Sequence, residues 1–206
     1  MKLESTEKLG SADIDHSCEK PHRKRCASTT REAILEAGMR HFTMCGFERS
    51  GVREIAADAG VTAALVNRYF GSKDGLFAAV IERAFDQKEL LSGDVADLAE
   101  RLSRHFVLLK EERMGQHCTP LLLLLRCATE PRSADLLRAN LERNFIAPLA
   151  AMLEGPDAEH RAAMVAALLT GFATLDQTIQ ANVFDKSDRT RLMRQLCDYL
   201  RIWIDG

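Results

Sequence analysis

Between Val52 and Phe77 the chain reads VREIAADAGVTAALVNRYFGSKDGLF, two short apolar-periodic stretches on either side of a glycine. Few folds accommodate that arrangement. Val52, Ile55, Ala56 and Ala59 fall at i, i+3, i+4 and i+7, the spacing of one buried helix face. Gly60 can take the positive φ of a sharp reversal, Val61 is apolar, and Thr62 can cap a helix from Ala63 to Phe70. Gly71 closes that helix. Ser72 caps another, with Asp74 in its first turn and Phe77, Val80, Ile81 and Ala84 on its inner face. Two short helices around a tight glycine turn are the signature of a helix-turn-helix unit.

The neighbouring sequence supplies the third helix such a unit needs. Thr29 and Glu32 stand at the spacing of a capping box, so a first helix is predicted from Thr29, with Ile34, Leu35, Gly38, Phe42 and Cys45 as its apolar stripe. Gly46 then falls where a left-handed C-terminal cap belongs. Residues 1–28 are polar and aperiodic, with Gly10, Pro21 and the basic run His22 to Arg25, and read as a disordered arm. That run can follow DNA as an arm or simply remain solvated. Beyond Ala84 helices are expected at roughly 94–110, 117–128, 133–153, 157–182 and 187–205, with Gly155-Pro156 the clearest break. No stretch alternates apolar and polar residues long enough for a half-buried strand, so the fold class is all-α.

Charge is distributed unevenly. The formal net charge is -2, but Lys20 to Asp74 holds ten bases against six acids, a local +4 that leaves -6 for the rest. Such a segment attracts phosphate while the remaining surface repels it. The apolar runs Pro120 to Leu125 and Ala162 to Leu169 fall far short of the roughly 20 residues of a membrane helix. The first 20 residues carry acids and no apolar segment, unlike a secretory signal, and a cytoplasmic location is expected. The six cysteines are scattered singly, without zinc or redox spacing, although Cys118 and Cys127 could meet.

From Val52 to Phe77, and back through Thr29, Ile34, Phe42, Gly46 and Phe47, the sequence resembles the DNA-binding domain of the tetracycline-repressor (TetR) family. The resemblance covers about 50 residues. It implies a recognition helix in the major groove, a homodimer and a divergent ligand-binding domain. Three regions follow: an arm at 1–28, a helix-turn-helix domain at 29–75, and a helical effector-binding and dimerisation domain at 76–206. The residue types suit the role. Val66 and Phe70, four apart, can face the core; Ala63 and Ala64 leave one end of the third helix slim; Asn67 and Arg68 can reach base edges or phosphates. The family usually has tyrosine where this chain has Asn67, so base readout centres on the Asn67-Arg68 pair. By the resemblance, Tyr69, Thr62 and Lys73 contact phosphate, and Ser50 can do so at the start of the second helix.

The C-terminal half carries no glycine-rich phosphate loop, metalloprotease helix or nucleophile elbow, so no enzyme and no cofactor are expected. His105, His117 and Cys118 could in principle hold a metal, but adjacent residues point apart on a helix, and none is expected. A cavity for a small effector is the expected use of this half. Candidate lining residues are Phe106, Met114, Leu124, Cys127, Phe145, Met152, Met164, Leu168 and Phe172, though such residues equally serve as plain core. Leu192, Leu196, Tyr199, Leu200 and Trp203 form one stripe, and Ala162, Ala163, Ala166, Ala167 and Gly171 a small-residue face; either can join two subunits or pack within one. The expected function is a repressor released from a palindromic operator by a small apolar effector. The competing reading is a helical interaction protein that docks other proteins on its helix-turn-helix.

Overall fold

The computed structural model describes residues 20–86, 88–113, 119–185 and 188–206. Every regular element among them is helical. In chain order these are α1 (Lys20–Cys45), α2 (Val52–Asp58), α3 (Ala63–Phe70), α4 (Lys73–Ala84), α5 (Leu98–Arg113), α6 (Pro120–Cys127), α7 (Pro131–Leu141), α8 (Ala147–Ala150), α9 (Ala158–Ala173), α10 (Asn182–Asp185) and α11 (Arg189–Ile204). A 3-10 turn, Val95–Asp97, leads into α5. Single π-helical turns, Glu142–Ile146 and Thr174–Thr178, extend α7 into α8 and α9 toward its end. The segment expected as one helix at 133–153 is therefore α7, a π turn and α8, and that at 157–182 is α9 with a π turn.

Helix α1 begins at Lys20, nine residues before the expected Thr29. The physical reason is local. Pro21 stands in the first turn, the helical position that needs no backbone N–H, and the Lys, Arg and Ala residues that follow are good helix formers. Thr29 and Thr30 are thus interior helix residues, and the expected capping box does not mark the start of a helix. Residues 1–19 of the expected arm lie outside the described residues.

The glycines predicted to turn the chain do so. Gly46 (φ 80°), Gly60 (φ 67°) and Gly71 (φ 77°) are left-handed, and Gly46 N–H donates to Phe42 O at 3.0 Å to end α1. An added Cβ on Gly46 would also stand 3.0 Å from Glu130 Oε1, so its position is constrained by a neighbour as well as by its backbone. Thr62 Oγ1 accepts from Leu65 N–H and Ser72 Oγ from Gly75 N–H, capping α3 and α4 as their spacing predicted.

Two cores result. The first gathers Ile34, Leu35 and Phe42 of α1, Phe47, Ile55 of α2, Val66 of α3 and Leu76, Phe77, Val80 and Ile81 of α4. At its centre Phe42 and Phe77 meet edge to face at 4.9 Å, and Phe47 lies 4.9 Å from Phe77. The expected boundary at residue 75 falls inside α4, whose inner face belongs to this core. Leu123, Cys127 and Leu137 of α6 and α7 also enter it. The second core joins α5, the α7–α8 segment, α9 and α11.

Leu192, Leu196 and Leu200 of α11 are buried in that second core, as are Ala162 and Ala166 of α9. Each predicted stripe is thereby divided. Its buried members pack within the subunit, while Tyr199, Ala167 and Gly171 are exposed, beside Ile202 and Leu175. Trp203 and Ala163 are half-buried.

Candidate functional site

The outer edge of α3 is built by elimination. Val66 is fully buried and Phe70 half-buried, with the Arg31 guanidinium 5.3 Å from the Phe70 ring centroid, so one face of the helix is committed to the core. Ala64, Asn67 and Arg68 are exposed, Ala63 and Tyr69 half-buried. Thr62 is exposed at the helix start, its hydroxyl oxygen 3.3 Å from Leu65 N. The side chains of Asn67 and Arg68 are held by no other described residue, so a base donor and a base acceptor stand free on a slim helix edge.

Lys73 is less free than its sequence position suggests. Its Nζ donates to Glu48 O at 3.0 Å and lies 4.5 Å from the Phe47 ring centroid, which ties α4 to the turn after α1. Ser50 is set apart from the others. It is 2% exposed and its Oγ donates to Gly46 O at 2.6 Å, so its hydroxyl holds the turn rather than facing outward. The side chains of His22 to Arg25 lie outside the described residues.

Three charged residues of the C-terminal half, missed by sequence reasoning, clasp this domain. Arg126 Nη2 donates to Met44 O at 3.1 Å, and Glu130 Oε2 accepts from Glu48 N–H at 3.0 Å. Arg132 pairs with Asp74 and lies 6.0 Å from the Phe47 ring centroid. The only sequence signal for this clasp was a cluster of charges directly after five leucines. Between them the Cys127 Sγ–H donates to Phe42 O at 3.7 Å. Burial, reinforced by the Glu130 carboxylate, pushes the Cys127 thiol up to about 11, so it stays protonated and unreactive at neutral pH. Cys118, which the sequence left as a possible partner, lies outside the described residues.

A partly open cavity of about 130 Å³ lies in the C-terminal half, walled by α5, α6, α7 and α9 and closed at one side by Ala84 and Phe85. Of the expected lining residues, Phe106, Leu124 and Phe145 are brought together there. Cys127 instead belongs to the first core, and Met152, Leu168 and Phe172 pack against the second. Met164 is half-buried away from the cavity, and Met114 lies outside the described residues. Helical spacing assigns a residue to the interior; it does not say which interior space remains unfilled. The polar members were not anticipated: Asn140, Asn144, Thr170 and Gln177, with His105 from α5. Asn144 and Gln177 sit on the two π turns, irregularities frequent at functional sites.

Among the described residues no three His, Cys, Asp or Glu side chains cluster to hold a metal, and no helix is long and apolar enough to cross a membrane. His117 and Cys118 of the considered metal set lie outside the described residues.

Residues 34–80 match the family model described as bacterial regulatory proteins of the tetR family, and residues 96–203 match the tetracyclin repressor-like C-terminal domain. The HTH-type transcriptional regulator RutR of Escherichia coli K12 is 36% identical over 64 residues, which is 31% of this chain and 30% of that protein, so the match spans under a third of either chain. Similar solved structures share the whole architecture. NalD of Pseudomonas aeruginosa, described as the secondary repressor of a multidrug efflux pump, superposes with a TM-score of 0.66 at 18% identity, covering 86% of this chain and 97% of NalD. SmeT, solved as a complex with triclosan, does so with a TM-score of 0.63 at 22% identity, covering 84% and 90% of the two chains. With residues 34–80 matching the N-terminal model and residues 96–203, more than half of the chain, matching the C-terminal one, the chain belongs to the tetracycline-repressor family of DNA-binding transcriptional regulators.

Proposed function

We propose that this chain is a cytoplasmic, homodimeric repressor whose two α3 helices read successive major grooves of a palindromic operator and release it when a small, largely apolar effector fills the C-terminal cavity. The observation that carries the DNA half of this reading is the free Asn67-Arg68 edge on α3, between a capped helix start and a face committed to the core. Thr62, Ala63, Ala64, Tyr69 and Lys73 frame that edge; Thr62, Tyr69 and the start of α4 supply phosphate contacts. Ser50 supports the turn beneath them. Dimerisation rests on the exposed Tyr199, Ile202, Ala167 and Gly171 of α9 and α11, which offer a second subunit an apolar, small-residue face.

The switch is supported by the position of α6. Leu121 and Leu124 line the cavity, while Leu123 and Cys127 of the same helix enter the DNA-reading core. A ligand that favours one setting of α6 over another therefore biases the reader domain through Arg126, Glu130 and Arg132.

Selection of bound sequences from a random DNA pool tests the reading. An inverted repeat with half-sites a whole number of helical turns apart is expected, with binding that falls steeply as salt rises. Absent or salt-insensitive binding would favour protein docking through the same helices. Repeating the assay at the selected site with apolar small molecules tests release; an effector that binds tightly and leaves operator affinity unchanged refutes the switch.

A further inference from the structure

Asn140 of α7 is 4% exposed, and its Nδ2 is buried with no hydrogen-bond partner among the described residues. Native chains rarely bury an amide donor unpaired, because nothing repays its lost hydration. This one lines the cavity. The neighbouring amide of Gln177 is spent differently: its Nε2 donates to Phe106 O at 3.3 Å, fixing the second π turn against α5. Asn140 thus keeps an unpaired donor, enclosed beside a wall otherwise made chiefly of Phe106, Leu121, Leu124, Phe145 and Leu169.

The wall is poor in charge: among the described lining residues there is no carboxylate, lysine or arginine, and one titratable group, His105. Asp176, next in sequence to lining Gln177, is fully buried and already held by Arg189 at 2.9 and 3.1 Å. An ionic ligand would lose its hydration here with only the His105 imidazole, among the described lining residues, to offset it. The volume of about 130 Å³ is close to that of an apolar protein cavity known to hold one benzene ring, about 150 Å³.

Resting on the effector reading above, we propose that the cavity takes an uncharged, single-ring-sized molecule, apolar over most of its surface, anchored by one hydrogen-bond acceptor that meets Asn140 Nδ2 as the side-chain amide turns into the cavity. A ketone, amide or ring nitrogen serves; a carboxylate does not.

Calorimetric titration of the full chain with acetophenone, ethylbenzene, aniline and benzoate tests this. Acetophenone should bind about tenfold tighter than its hydrocarbon isostere ethylbenzene, the size of one net hydrogen bond. Benzoate should bind at least tenfold more weakly than acetophenone. Asn140→Leu should erase the ketone's preference while leaving ethylbenzene bound at least as well. Should that variant fail to fold, the side-chain amide resonances of Asn140 in the unaltered protein should shift on adding acetophenone and not on adding ethylbenzene. Equal affinity for ketone and hydrocarbon, a preference for aniline or benzoate, or a preference that survives in Asn140→Leu overturns the anchor and leaves the effector reading standing. If none of the four binds, the anchor is overturned as well; the effector reading is then judged separately by whether any apolar compound releases the selected operator.

Discussion

The outer edge of α3 and the wall of the C-terminal cavity both present polar side chains from apolar elements, but they are fastened in different ways. The α3 edge is backed by fully buried Val66, a threonine cap and three interlocked phenylalanine rings. The cavity wall runs through two π turns and leaves an amide donor unpaired. A surface that must match base edges needs fixed geometry, since misplacement of a donor forfeits its hydrogen bond. An interior that must report occupancy needs the opposite, an arrangement that a ligand can complete.

The sharpest way to break this contrast is to remove an equal part from each side. Leu76→Ala should destabilise the chain by about 3–5 kcal/mol in chemical denaturation, since its side chain is fully enclosed in the first core. Leu124→Ala, at the edge of an existing opening, should cost under about 2 kcal/mol. Equal losses would show that the centre of the first core and the cavity wall are fastened alike. Next in size is a change at the reading edge. Arg68→Glu should lower operator affinity on the order of 100-fold, a lost base or phosphate contact compounded by repulsion, with the melting temperature nearly unchanged because Arg68 is exposed. A large fall in melting temperature would assign Arg68 to the fold instead.

The same contrast explains what could be read from the sequence. Gly46, Gly60, Gly71, Thr62 and Ser72 act on backbone within a few residues of themselves, so the whole helix-turn-helix was legible from spacing. The start of α1 was not legible, because a polar, aperiodic stretch holding Pro21 reads as an arm although proline in a first turn is compatible with a helix. The cavity was mostly illegible. Phe106, Leu124 and Phe145 come to it from three separate segments, and the π turns that place Asn144 and Gln177 have no spacing signature. Cys127, apolar and central in a leucine-rich helix, faces the other core, a choice that depends on how α6 is rotated.

The clasp between the two regions gives a smaller effect. Glu130 accepts the Glu48 N–H at 3.0 Å at a partly exposed corner. Glu130→Ala should cost about 1.5 kcal/mol of stability. More tellingly, it should shrink the ratio of operator affinities measured without and with an effector several-fold, since the corner links cavity to reader. A ratio that stays the same would mean that the signal passes elsewhere, through Arg132 and Asp74 or through α4 itself.

The smallest effects separate a helix cap from a DNA contact. Thr62 and Ser72 hold equivalent bonds, to Leu65 N at 3.3 Å and Gly75 N at 3.1 Å, so Thr62→Ala and Ser72→Ala should each cost about 1 kcal/mol. Their effects on operator binding should differ. In the proposed complex a phosphate at the start of α3 meets the Thr62 hydroxyl, whereas one at the start of α4 is held by backbone N–H groups that survive the serine's removal. Thr62→Ala should therefore weaken operator binding several-fold and Ser72→Ala by less than about twofold. If both variants lose operator affinity in proportion to stability, Thr62 is a cap alone, and the fixed geometry of the α3 edge contributes to recognition only through Asn67, Arg68 and Tyr69.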